Sequence, residues 1–108
     1  MNAYIKKIYD MMYSPIITPY NLVQNAKLDN YTYVKYYKSN EELIAEMECE
    51  IPSEGVKVFY YHFDKDDFLQ KITMKQENQT NTVFDRNEEI LKARDAYHQN
   101  EQSYYKVV

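Results

Sequence analysis

The 108-residue chain is predicted to adopt an α+β fold: an antiparallel meander of about four strands packed with an N-terminal helix, or a pair of them, and a C-terminal helix. Three observations carry this. Residues 43–51 alternate strictly, with Leu43, Ala45, Met47, Cys49 and Ile51 on one side and Glu46, Glu48 and Glu50, beside Ile44, on the other; that is the period of a strand with one buried face. Runs rich in strand formers follow at 56–63 and 68–75, separated by Pro52-Ser53-Glu54-Gly55 and Asp64-Lys65-Asp66-Asp67, whose residue types favour turns. Helical spacing appears only at the two ends.

Taken in order, residues 2–13 predict an amphipathic helix capped by Asn2, with Tyr4, Ile5, Ile8 and Met12 on one face and Tyr9 and Tyr13 widening it. Ser14-Pro15 ends it, because proline pushes its predecessor out of the α region. Thr18-Pro19 reads as a new helix start, with Leu22, Val23 and Ala26 inward on a short helix closing near Leu28. Asp29-Asn30 is a turn, and Tyr31–Lys38 (YTYVKYYK) a strand. Residues 76–82 (QENQTNT) read as a polar loop or hairpin tip, with Val83-Phe84 as a short edge strand. Asp85, with Glu88 three positions on, starts a final helix over about 86–102 that buries Ile90, Ala93 and Tyr97. The tail SYYKVV either docks or adds a strand. No repeat, linker or composition shift divides the chain, so residues 1–108 form one domain.

Composition excludes more than it assigns. A net charge of −4 and pI near 5.1 argue against general attraction to nucleic acid or to an anionic membrane. No run approaches the roughly 18 apolar residues of a membrane span, and the N-terminus lacks the apolar core and cleavage site of a signal peptide. The lone Cys49 cannot form an internal bridge and suits a reducing cytoplasm. One glycine cannot compose a phosphate-cradling loop. Two histidines, His62 and His98, with no cysteine cluster, point to no zinc site, and His62, Asp64, Asp66 and Asp67 lack the central glycine and terminal glutamate of a calcium loop. Cys49 reads as a small core residue between two glutamates. The sequence therefore predicts neither catalytic residues nor a cofactor. Thirteen tyrosines, no tryptophan and eleven lysines against two arginines are the residue usage of AT-rich codons, which associates the chain with a low-GC bacterium or a phage or mobile element living in one.

Pairing the strands across a four-residue turn at 52–55 sets Ile51 opposite Val56 and Met47 opposite Tyr60; the turn at 64–67 sets Phe59 opposite Ile72. In that register Phe59 and Tyr61 share the face of Glu46, Glu48 and Glu50. Aromatic side chains rimmed by carboxylates have the composition of an interface core. These five residues are thus the candidate partner-binding set, for a host protein such as a nucleic-acid enzyme or defence factor. Six acidic and no basic residues lie between Glu41 and Glu54, and alternate carboxylates on a strand stand about 6.7 Å apart, near the spacing of successive phosphates. The rival reading is a single-strand nucleic-acid accessory protein stacking bases on Tyr31, Tyr33 and Tyr37 beside Lys35; the neighbouring glutamates oppose it. A homodimer joined through strand 56–63 is a further reading.

Overall fold

The computed structural model describes residues 3–107, with side-chain surroundings at all of them except positions 4, 7 and 100–107; the expected cap Asn2 and the inward place of Tyr4 lie outside the described residues. Helix α1 (Ala3–Tyr13) is followed by a 3₁₀-helix (Pro19–Lys27), strands β1 (Tyr31–Ser39), β2 (Glu42–Ile51), β3 (Gly55–Phe63), β4 (Leu69–Gln76) and β5 (Gln79–Asp85), and helix α2 (Arg86–Val107). The five strands form one antiparallel sheet in the order β1-β2-β3-β4-β5. The expected α+β meander is this fold, with one strand more. Residues 79–82, expected as loop, pair with β4 after a two-residue turn at Glu77-Asn78; they are polar because β5 is an edge strand whose residues 79–83 are all exposed. The expected second helix winds as 3₁₀: Asn21 Oδ1 accepts from the Thr18 amide at 2.8 Å and from its hydroxyl at 2.9 Å. Residues 103–107 continue α2 and neither turn back nor add a strand. No helix among the described residues is long and apolar enough to cross a membrane.

Register decides the layers. The Glu54 amide donates to the Ile51 carbonyl at 2.9 Å, with Pro52 and Ser53 (φ 71°) between them, the pattern of a type II turn. Gly55, at φ 95°, then pairs directly with Ile51. The loop is therefore one residue shorter than expected, and a one-residue slip moves every side chain of one strand to the opposite face. Met47 stands opposite Phe59, Ala45 opposite Tyr61 and Leu43 opposite Phe63, while Glu46 faces Tyr60 and Glu48 faces Val58. Phe59 and Tyr61 consequently lie on the apolar face and not with the glutamates. Across the next hairpin Phe59 pairs with Met74 and Tyr61 with Ile72.

The core forms on that apolar face. Ala45, Met47, Phe63 and Leu69 are buried together with Leu22 of the 3₁₀-helix, and Ile17, Tyr31, Val34, Tyr61, Ile72 and Phe84 pack around them. The Tyr36 hydroxyl donates to the Pro19 carbonyl at 2.8 Å and fixes the 3₁₀-helix over the β1 side. Neither α1 nor α2 covers the sheet in this way: the two helices pack on each other, with α2 meeting the sheet at β4 and β5, and the molecule extends to 57 Å in its long dimension. With β2 on one side and β4 on the other, β3 has no free edge, so edge-to-edge dimerisation through residues 56–63 has no place to form.

One side chain joins the helices to the sheet. Arg86, only 4% exposed, donates from Nε to the Leu69 carbonyl at 2.5 Å, from Nη1 to the carbonyls of Met11 and, at 2.8 Å, Ser14, and from Nη2 to that of Pro15 at 3.2 Å. Its guanidinium also stacks 5.5 Å from the centre of the Phe68 ring. Carbonyls left unpaired at a helix C-terminus favour a cation, and the planar fork of arginine reaches several at once. Burial lowers the Arg86 pKa, with the charge of Asp64 acting the other way; an arginine remains charged regardless.

Replacing Arg86 by Met takes a donor from the carbonyls of Met11, Ser14 and Leu69 and is expected to cost on the order of 3–5 kcal/mol in denaturant unfolding. Arg86→Lys recovers only part of that, and a loss below about 1 kcal/mol would show that the guanidinium does not join the layers. At the hairpin, Gly55→Ala is expected to cost about 1–2 kcal/mol because an L side chain is strained at that φ. Ser53→Gly is expected to be neutral or stabilising by up to about 1 kcal/mol.

Candidate functional site

The second face of the sheet carries Tyr33, Lys35 and Tyr37 from β1, Ile44, Glu46 and Glu48 from β2, Val58, Tyr60 and His62 from β3, and Lys71, Thr73 and Lys75 from β4. Leu22 and Ile17, which cover the sheet, contact residues of the opposite face; on this face Ile44 is buried, at 3% exposed, while Lys35, Tyr37 and Lys75 are exposed. Antiparallel sheets tolerate a solvated face when polar groups alternate onto it, and the alternating glutamates of β2 supply them.

On its β1–β2 side is a closed polar cluster. Lys35 stands directly opposite Glu46, with Tyr33 and Tyr37 two residues to either side of Lys35 on the same face. The Tyr33 hydroxyl donates to Glu46 Oε2 at 2.7 Å and the Tyr37 hydroxyl to Oε1 at 3.0 Å. Lys35 Nζ lies 3.3 Å from Oε2 and over both rings, 5.4 Å from the Tyr33 centroid and 6.0 Å from that of Tyr37. The Glu46 carboxylate is nearly covered, its side chain 12% exposed, whereas that of Lys35 is 58% exposed. Burial works to raise the Glu46 pKa, but the hydrogen bonds from Tyr33, Tyr37 and Lys35 outweigh it and hold the carboxyl below its usual range. Desolvation, then the hydrogen bond to Glu46 and its charge, push the Tyr37 hydroxyl up to about 12, and the same causes raise Tyr33 further.

The two candidate surfaces read from the sequence are therefore one surface. Glu46 of the acidic stripe is bonded to Lys35, Tyr33 and Tyr37 of the tyrosine/lysine strand. Tyr31 does not belong with them. A bulge between Tyr31 and Tyr33 sets Tyr31 opposite Cys49 and Tyr33 opposite Glu48, and the extra residue turns Tyr31 onto the core face. Glu50 is exposed at the far end of β2, where its backbone binds Asn30. Glu48 is half-buried with no hydrogen bond or ion pair among the described residues; with Val58, Tyr60 and Lys75 it lines a cavity of about 500 Å³ near the β2–β3 turn. Tyr60, which the sequence reading set on the core side, is the aromatic that replaces Phe59 and Tyr61 on this face. The missed signal was the turn at Asn40-Glu41: with Asn40 at φ 55°, a two-residue connection places Glu46 opposite Lys35.

The other side chains weighed from the sequence sit apart from this cluster. Cys49 is buried on the core face, where burial raises its thiol pKa, so it presents no ready thiolate. Asp64 organises its own turn, accepting from the amides of Asp66 and Phe68 at 2.9 Å and from Gln70 Nε2 at 3.1 Å. His62 Nδ1 lies 3.5 Å from Glu42 Oε1. Among the described residues no three His, Cys, Asp or Glu side chains converge as a metal would require. Comparisons with protein-family models, with curated proteins and with solved structures each return no match for this chain.

The cluster sets a pH dependence of known sign. Tyr37 is raised in the folded state, so its contribution is fully present below the ordinary tyrosine pKa of 10.0 and is lost as the pH rises through about 12. Glu46 is lowered, so its contribution is present above the ordinary carboxyl value of 4.5 and is lost as pH falls through its folded-state value. In a tyrosinate absorbance titration, Tyr37→Phe is expected to remove a component near pH 12, and Glu46→Gln to bring the late components down. An unchanged titration in Glu46→Gln would mean that Glu46 does not hold these hydroxyls.

Proposed function

We propose that this protein is a non-enzymatic interaction module that docks on another protein through the uncovered face of its sheet. One observation carries the reading: the sheet face opposite the 3₁₀-helix holds Tyr33, Tyr37, Tyr60 and Val58 among Glu46, Glu48 and Lys75. Rigid aromatic groups among polar ones give contact area at low entropic cost, the composition of interface cores. Glu48, free of any ion pair among the described residues, stands ready for a basic group of the partner, and the net charge of −4 favours a basic surface opposite. A host protein of a low-GC bacterium, one that handles nucleic acid or defends the cell, is the partner that composition and acidity favour, with the module encoded by a phage or other mobile element and working in the cytoplasm.

The single-strand nucleic-acid reading is weaker on this face. Lys35, which would meet the phosphates, is held by Glu46, and carboxylates flank the tyrosines.

The test compares wild type with a Glu48→Lys/Tyr60→Ala variant as immobilised bait for proteins of the source cell, with folding checked by circular dichroism. Capture of a defined protein is expected to fall at least tenfold, about 1.4 kcal/mol, in the variant; equal capture by both would sink the proposal. In a mobility-shift assay at low salt, no salt-sensitive shift of single-stranded oligonucleotides is expected. A shift abolished by Tyr33→Ala would put the nucleic-acid reading in its place.

A further inference from the structure

The apolar arc of α1 is wider than its one partner helix can cover. Ile8 and Met11 are half-buried on the side where Ala93 of α2 is buried. Round the helix from them, Ile5, Tyr9, Met12 and Tyr13 keep between 41% and 61% of their surface exposed; Met12, at the edge towards α2, accepts at Sδ from Arg94 Nη2 at 3.8 Å, and the Tyr9 and Tyr13 rings lie 4.8 Å apart. These four occupy positions i, i+4, i+7 and i+8, one continuous stripe. Ile16, just beyond the helix, is 44% exposed. A contiguous apolar stripe of this kind on a helix marks an association surface.

We infer that α1 pairs with α1 of a second copy of this chain, antiparallel, across a two-fold axis close to Tyr9. The stripe is self-complementary about that point. Ile5 and Tyr13 lie four residues to either side of Tyr9, so an antiparallel copy brings each Ile5 to a Tyr13 of the other chain and the two Tyr9 rings together, as an isologous contact requires. The charges agree. Lys6 and Asp10 run along the stripe on the side away from α2 and form an i,i+4 pair at 2.9 Å; antiparallel reversal brings this flank of one copy against the same flank of the other, with Lys6 about 3 Å along the axis from the level of the other copy's Asp10. The exposed parts of these side chains amount to roughly 400–500 Å² per copy, about half of the roughly 800 Å² per partner in a standard interface. The dimer is accordingly weak and concentration-dependent. It uses the helices and leaves the bare sheet face open.

Sedimentation equilibrium of the full chain from about 1 µM to about 1 mM, a range spanning roughly −8 to −4 kcal/mol, is expected to show a monomer–dimer equilibrium. Tyr9→Glu is expected to weaken it at least tenfold with the circular dichroism spectrum unchanged. In a Cys49→Ala background, Tyr9→Cys is expected to form an intermolecular disulfide on mild oxidation, whereas Met11→Cys, on the α2 side, is not. A monomer throughout, a dimer indifferent to Tyr9→Glu, or crosslinking at position 11 and not at 9 overturns the inference.

Discussion

The parity of the β2–β3 hairpin governs which surface of this protein is core and which is available. With Ser53 in a left-handed conformation and Gly55 at φ 95°, three residues connect the strands and Ile51 meets Gly55. Every odd residue of β2 then shares a face with every odd residue of β3. That places Phe59, Tyr61 and Phe63 against Ala45, Met47 and the covering 3₁₀-helix, and leaves Val58 and Tyr60 among the glutamates. A connection longer by one residue would set Phe59 among carboxylates and Tyr60 in the core. The only glycine of the chain stands at the position that admits the shorter loop.

The second organising element is Arg86. The end of α1, the loop at Ser14-Pro15 and the start of β4 all present backbone carbonyls to one guanidinium, which the first residue of α2 supplies. No carboxylate hydrogen-bonds to it among the described residues. The charge is instead dispersed over peptide dipoles, among them that of Met11 in the last turn of α1. This arrangement lets the helices extend from the sheet without lying across it, and so accounts for both the bare sheet face and the exposed stripe on α1. The two surfaces share one cause: the chain has more amphipathic structure than it uses in covering itself.

On the bare face, tyrosines and carboxylate act together and not as rivals. Glu46 is hydrogen-bonded by both tyrosines and paired with Lys35, so the cluster is preorganised and close to neutral. Such a surface gives shape and polarity to a protein partner but little attraction for a phosphate backbone. Glu48, one step along the strand and unpaired among the described residues, is where net negative charge remains.

Local pattern alone determined much of this protein. The alternation of 43–51, the proline and aspartate turns, and the Asp85 cap, whose carboxylate accepts from the Glu88 amide at 3.1 Å, gave α1, the first four strands and α2 in their right places. Each depends on residues close in sequence, whose period and capping chemistry can be read directly. The core side of β2 was legible for the same reason, and so was the burial of Cys49. What faced what was decided elsewhere. The register of β2 on β3 turned on one residue of loop length, and that of β1 on β2 on the bulge that separates Tyr31 from Tyr33; both follow from backbone angles that residue types only bias. Hence Glu46, Glu48 and Glu50 were assigned together, while Phe59 and Tyr61 were set with them wrongly. Nothing in the local pattern marks Arg86, because its partners lie about seventy residues away at Met11, Ser14 and Pro15. A strand's period names its two faces; only the packed sheet says which one is left bare.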